Sequence, residues 1–127
     1  MRIKAILSLC LFTLATAVSA DEFIKINTDQ SELRRGAADN GRLYQSYLGK
    51  RLANESDLQH LPKGNEAYLT HGMEDYFEPA IEVHHNDANP SLLLKHVSHE
   101  QKNIQPGVDE TVITMQDDKY PVTVKLH

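Results

Sequence analysis

Beyond position 20 this chain contains no cysteine, and it has no tryptophan anywhere. Without a thiol the processed chain can form neither a disulfide nor a cysteine nucleophile, so whatever holds it together is non-covalent. Without tryptophan, stacking on a sugar ring would fall to Tyr44, Tyr47, Tyr68, Tyr76, Phe77 or Tyr120, and core packing is the simpler task for most of them. Basic charge is also scarce. Once Arg2 and Lys4 are set aside, 11 basic residues stand against 18 acidic ones, a formal charge of −7. Such a surface repels phosphate backbones, and only Arg34-Arg35 and Lys50-Arg51 place two basic residues side by side, so nucleic acid is not an expected partner. No apolar run after residue 20 approaches the roughly 20 residues that cross a bilayer. A Gly-x-Ser-x-Gly elbow and a phosphate-cradling glycine loop are likewise missing, which removes two common frameworks for hydrolysis and nucleotide binding.

What is present begins with an export signal. Arg2 and Lys4 give a positive start, an apolar run extends from Ala5 to Val18, and Val18-Ser19-Ala20 supplies small residues before a cleavage point. Residues 1–20 are therefore read as a signal peptide and 21–127 as the mature chain, exported to the periplasm or beyond and free of the membrane after processing. Cys10 is not read as a lipid anchor, because Leu9 is bulky and the apolar run continues past it. The remaining 107 residues suffice in size for one small domain.

Short β-branched and apolar runs separated by turn residues, with no sustained helical spacing, predict an all-β fold, an antiparallel β-sandwich. "FIKINT" and "SELRR" begin the series, and "GAADNG" joins the second strand to "RLYQSYL". In that third strand strict alternation sets Leu43, Gln45 and Tyr47 on one face and Tyr44, Ser46 and Leu48 on the other, which predicts cover on both sides. Residues 49–72 read as long loops, "PAIEVHH" as a strand, "LLLKHVSHE" as another, "NIQPGVDE" as a loop, and "TVITMQ" with "YPVTVKLH" as a closing hairpin. The alternation of Val122, Val124 and Leu126 is still in phase at His127, so the sandwich is expected to be incomplete and the chain to continue in a longer parent or to derive from one.

The stretch "EDYFEPAIEVHH" gathers acids, aromatics and a histidine pair, and three chemistries compete for it. Metal binding is disfavoured by parity. Neighbours on a strand point to opposite faces, which separates His84 from His85 and, by the same count, His96 from His99. No metal and no other cofactor is assigned. The acid pairs Glu74-Asp75, Asp109-Glu110 and Asp117-Asp118 are ill-placed for glycoside hydrolysis, which needs two carboxyls about 5 Å apart across a substrate from facing elements. They read as surface acids beside turns. The third possibility is a scaffold landmark.

Taken in order, "GRLYQSYLGKRL", "LPKGNEAY", "DYFEPAIEV", "NPSLLLKHVSHE" and "TVITMQDDKYPVTVKLH" resemble the N-terminal domain of α-galactosidases of glycoside hydrolase family 36. The resemblance runs from about Phe23 to His127. It implies a β-supersandwich that precedes a catalytic (β/α)8 barrel and a C-terminal β domain, in an enzyme that removes terminal α-linked galactose from raffinose-type oligosaccharides and galactomannan with retention and without a metal. The family's nucleophile motif, Lys-Trp-Asp, is not in this chain, so no catalytic residue is assigned and the chain alone is expected to be inactive. The resemblance further implies that loops of this domain approach the active site or a neighbouring subunit of a homo-oligomeric parent. Asp75, Tyr76 and Glu78 are the candidates for that contact. Some relatives carry an acid in a longer loop before this block. Asp57 is the nearest acid here and is given no role. The competing reading is a free-standing exported sandwich that binds carbohydrate or protein.

Overall fold

The computed structural model describes residues 22–60, 64–72 and 78–127. The leader assigned to residues 1–20, and Asp75 and Tyr76 of the three contact candidates, lie outside them. Among the described residues six strands form two antiparallel sheets. Strands β1 (Glu22–Asn27), β2 (Ser31–Ala37) and β3 (Leu43–Lys50) make the first in sequence order, and β4 (Leu94–Gln105), β5 (Val108–Asp117) and β6 (Thr123–Leu126) make the second. A 3-10 helix spans Glu55–His60, and no α-helix occurs among the described residues. The all-β expectation holds, and the arrangement is that of an incomplete sandwich.

The turns form where the chemistry favours them. Ser31 N–H is taken by the Thr28 hydroxyl at 3.0 Å, and Asn40 Oδ1 accepts from Arg42 N–H at 3.0 Å, the short-range side-chain bonds that favour turns over ladders. Gly41 sits at φ +80, and a Cβ there would meet the Lys95 side chain at 2.7 Å. The predicted loop "NIQPGVDE" is instead a tight turn at Pro106-Gly107 between β4 and β5. Its polar residues continue the ladder, with Asn103 paired to Asp109 in register and donating to that carboxylate at 2.7 Å. Polarity there marks a hairpin wetted on both faces, not a loop.

Two further expectations fail on backbone geometry. "PAIEVHH" is not a strand: Ile81 makes one isolated parallel bridge to Thr70 and nothing more. Ile81 and Val83 are half-buried while Glu82 and His84 are exposed, so alternation reported one-sided burial without a neighbouring ladder. The described residues between 49 and 72 are more ordered than long loops. β3 runs to Lys50, the 3-10 helix follows, and residues 65–67 strap onto the outer edge of β3 through Gln45 N–H to Asn65 O at 2.9 Å and Ala67 N–H to Leu43 O at 2.7 Å.

β-Bulges change the side-chain parity at three places, one of them at Ile104 near the hairpin end of β4. Arg34 pairs with Tyr47 but Arg35 pairs with Gln45, so Ser46 is the extra residue. Beyond it Leu48 returns to the face of Leu43 and Gln45, while Tyr47 joins Tyr44 on the other. The predicted faces of β3 are corrected accordingly, and so is its double cover, since Leu48 is 66% exposed. In β4 the register passes from His96–Met115 to Ser98–Thr114, which makes Val97 the extra residue.

The sheets pack face to face through Ile24 and Leu43 from the first and Leu94, Ile113 and Met115 from the second, flanked by Ile26, Ala67, Tyr68, Val122, Val124 and Leu126. Each fully buried aliphatic side chain is worth about 1.5–3 kcal/mol. The alternation read in the last strand is met, with Val122, Val124 and Leu126 half-buried and Thr123 and Lys125 exposed. A backbone bond from His96 N–H to Gly41 O, at 2.8 Å, ties the first sheet's turn to the second sheet.

Candidate functional site

Glu78, the described member of the contact candidates, is exposed. The residues after it are strapped down. Ala80 N–H donates to Leu69 O at 2.9 Å, and Leu92 N–H to His71 O at 2.9 Å. The buried Thr70 hydroxyl donates to Leu92 O at 2.8 Å. Three irregular segments thus meet and satisfy one another's backbone groups, which is what buried irregular chain requires. Glu78 stands at the margin of that junction, where its carboxylate faces solvent.

Beside it lies a polar cluster built on His85, Asp87, Asn89 and Tyr120. The His85 and Tyr120 rings stack with centroids 3.5 Å apart and planes 8° from parallel. The Tyr120 hydroxyl donates to Asp87 at 2.8 Å and accepts from the Asn89 amide at 2.9 Å. The backbone N–H of Asn89, then the Tyr120 hydroxyl, hold the Asp87 carboxyl below its ordinary range. The same Asp87 contact holds the phenol protonated to higher pH than usual. The sequence places Tyr120 at the start of the last strand and among the aromatics available for stacking or core packing, without joining it to His85 or Asp87. The cluster comes from folding "HHNDANP" against "DDKYP", a long-range meeting that no local spacing announces.

Asp117, 7% exposed, anchors the cluster from below. Its Oδ1 accepts from Lys119 N–H at 2.7 Å and Tyr120 N–H at 2.8 Å, and its Oδ2 from Leu93 N–H at 2.5 Å. Burial works to raise its pKa, and the backbone donors of Leu93, Tyr120 and Lys119 outweigh that and leave it lowered. Asp118 turns outward to Lys95. The pair is therefore divided between a turn clamp and a surface ion pair. Asp109 and Glu110 are similarly occupied, by Asn103 at 2.7 Å and by His127 at 2.8 Å. The expectation of surface acids beside turns misses Asp117, for which the Asp-led turn "DDKY" was the available signal.

His96 and His99 do not fall on opposite faces as strict alternation predicts. The bulge at Val97 brings His96 and His99 to one face, with ring centroids 5.7 Å apart and tilted by 34°. Among the described residues no three His, Cys, Asp or Glu side chains gather to hold a metal ion. No described helix is long and apolar enough to cross a membrane.

A second polar network lies on the outer face of the first sheet. Arg34 reaches Glu32 through Nε and Glu55 through Nη2, the latter at 2.7 Å. Lys25 joins Glu55 at 3.0 Å and stands 3.8 Å from Glu32. Burial opposes the charge on Glu32, yet the Arg34 hydrogen bond and charge, with Lys25 behind them, hold its carboxyl below the ordinary range. Arg42 grips the buried Glu66 in the same way, with its guanidinium 5.8 Å from the centre of the Tyr44 ring. These acids are committed to holding strands and straps together.

The sequence decides what such a scaffold is. The model of the glycosyl hydrolase family 36 N-terminal domain matches residues 31–127. The chain belongs to that family. A search of curated proteins found no match. Among solved structures it is similar to the α-galactosidase from Lactobacillus brevis, with a TM-score of 0.65 at 15% identity over 83% of this chain and 19% of that one. At that identity the likeness establishes a shared fold. The chain spans about a fifth of the length of that relative. Within the family 36 domain, Asp117 and the His85–Tyr120 stack act as joints of the sandwich.

Proposed function

We propose that this chain serves as the N-terminal domain of an exported α-galactosidase, an enzyme that removes terminal α-linked galactose from oligosaccharides and galactomannan with retention of configuration. The observation that carries this reading is the family match over residues 31–127, and the α-galactosidase fold neighbour supports it. In this reading the domain is inert alone, and the nucleophile and acid/base lie elsewhere in the enzyme. The structural engagement of Glu32, Glu66, Asp109, Glu110 and Asp117 favours that division of labour, because a catalytic carboxylate must be free to meet substrate. Export to the periplasm or beyond rests on the charge and apolar pattern of residues 1–20.

Assembly of the enzyme as a homo-oligomer, with Asp75, Tyr76 and Glu78 touching the active site or a neighbouring subunit, belongs to the same proposal. The exposure of Glu78 beside a hydrogen-bonded junction is its support. The test is turnover of an aryl α-galactoside. The purified chain of residues 21–127 should show none, while the larger polypeptide that carries this domain should hydrolyse it. Hydrolysis by the purified 107-residue product would overturn the division of labour.

A further inference from the structure

The inner face of the first sheet carries a cation that nothing in the described molecule neutralises. In register across the three strands, Ile26, Leu33 and Leu48 form one row, and Ile24, Arg35 and Gln45 form the next. The second sheet covers Ile24 fully but leaves Ile26 and Leu33 half-open and Leu48 exposed. Between the sheets lies a cleft of about 380 Å³, floored by Ile26, Leu33, Ile113 and Leu126, into which Arg35 projects. Its Nη1 is buried and has no hydrogen-bond partner. The rim acids do not supply one, since Glu110 is bonded to His127 and Asp109 to Asn103. Desolvation alone lowers the pKa of this guanidinium, with no anion acting against it. A desolvated donor without an acceptor is costly, and the cost disappears when a carboxylate meets it bidentately.

We propose that this cleft is the seat of an extended segment from the remainder of the enzyme, one that lays aliphatic side chains along Ile26, Leu33 and Leu48 and sets a single Asp or Glu carboxylate on the Arg35 guanidinium. The inference rests on the reading of the chain as one domain of a larger glycosidase. Charge complementarity selects the occupant. An apolar strand alone would fill the floor yet leave the guanidinium unpaired, and a second copy of this acidic chain would bring like charges to the rim. The occupied rim acids keep the entrance negative, so the carboxylate must arrive buried between apolar neighbours.

The test is an NMR titration of residues 21–127 with the capped pentapeptide Val-Val-Glu-Val-Val and its Gln counterpart. The Glu peptide should shift the resonances of Leu33, Arg35, Ile113 and Leu126 and bind at least tenfold more tightly than the Gln peptide. Arg35→Met, which keeps the aliphatic contact, should abolish that preference while leaving the remaining spectrum in place. Equal binding of the two peptides, shifts confined to other residues, or no binding at all would overturn the proposal. So would saturation of the same resonances by hexanoate with no response to either peptide, which would assign the cleft to small carboxylates, or cleft shifts that grow with protein concentration alone, which would assign it to self-association. None of these readouts involves galactoside turnover, so the domain assignment and the cleft assignment fail separately.

Discussion

On the outer face of the first sheet Arg34 is 4% exposed and clasped by Glu32 and Glu55, whereas one residue further, on the inner face, Arg35 enters a half-open cleft with a buried nitrogen unbonded. The two residues are identical in type and adjacent in sequence. Strand alternation alone sends them to opposite environments. The outer face is finished: the 3-10 helix places Glu55 over it, and each buried charge has a counter-charge. The inner face is finished only where Ile24 and Leu43 meet Leu94, Ile113 and Met115, and toward Leu48 it is open. The outside of this sheet is thus sealed more completely than its inside, and the proposed segment rests on that asymmetry.

The largest expected effect breaks the sealed face. Arg34→Met leaves the buried Glu32 with the Leu52 backbone N–H and, as its one remaining counter-charge, Lys25 at 3.8 Å, and removing one partner of a buried pair costs about 3–5 kcal/mol. Urea unfolding should register that loss as a lower midpoint at unchanged slope. Asp117→Ala breaks the corresponding joint of the second sheet. Three backbone donors lose their acceptor, for a loss of about 2–3 kcal/mol, and the His85–Tyr120 contact should loosen with it, visible as altered Tyr120 resonances.

A smaller effect comes from acid. Glu32 and Asp117 are both held below their ordinary values of 4.5 and 3.8. A carboxyl lowered in the folded state contributes stability that is fully present above its unfolded value and is lost as pH falls through its folded one. Melting temperature should therefore hold through neutrality and decline once the pH drops below about 4. Glu32→Gln should start lower and decline less steeply over that range. A variant that follows the parent's pH profile in parallel would exclude Glu32 as a source of the acid response.

The pattern of apolar residues revealed most of the strands, most cleanly β6, where Val124 and Leu126 are half-buried and Thr123 and Lys125 exposed, although β2 buries a polar face through Glu32 and Arg34 and β5 buries Val112 and Ile113 on opposite sides. It could not reveal where that pattern slips. Ser46 and Val97 look like ordinary strand residues, yet as bulges they exchange the faces of Tyr47 and Leu48 and bring His96 to the side of His99. "PAIEVHH" shows the opposite failure, a true alternation of burial with no strand alongside to pair it. The polar hairpin end from Asn103 to Asp109 carries no alternation because both its faces are wet. As for the site, turn chemistry at "DDKY" was legible, but the meeting of His85 with Tyr120 and of Arg34 with Glu55 depends on contacts 35 and 21 residues apart in the chain. The bare state of Arg35 could not be read at all, since it depends on what the second sheet fails to cover.

The smallest expected effect is also the most discriminating. Thermal melts of Arg34→Met and Arg35→Met, run side by side on residues 21–127, should move in opposite directions. The first should fall steeply. The second should hold or rise, by up to about 4 °C if removing the stranded charge gains about 0.5–1 kcal/mol. A fall of similar size in both would show that Arg35 is already satisfied within this chain, and the inner face would then need no partner.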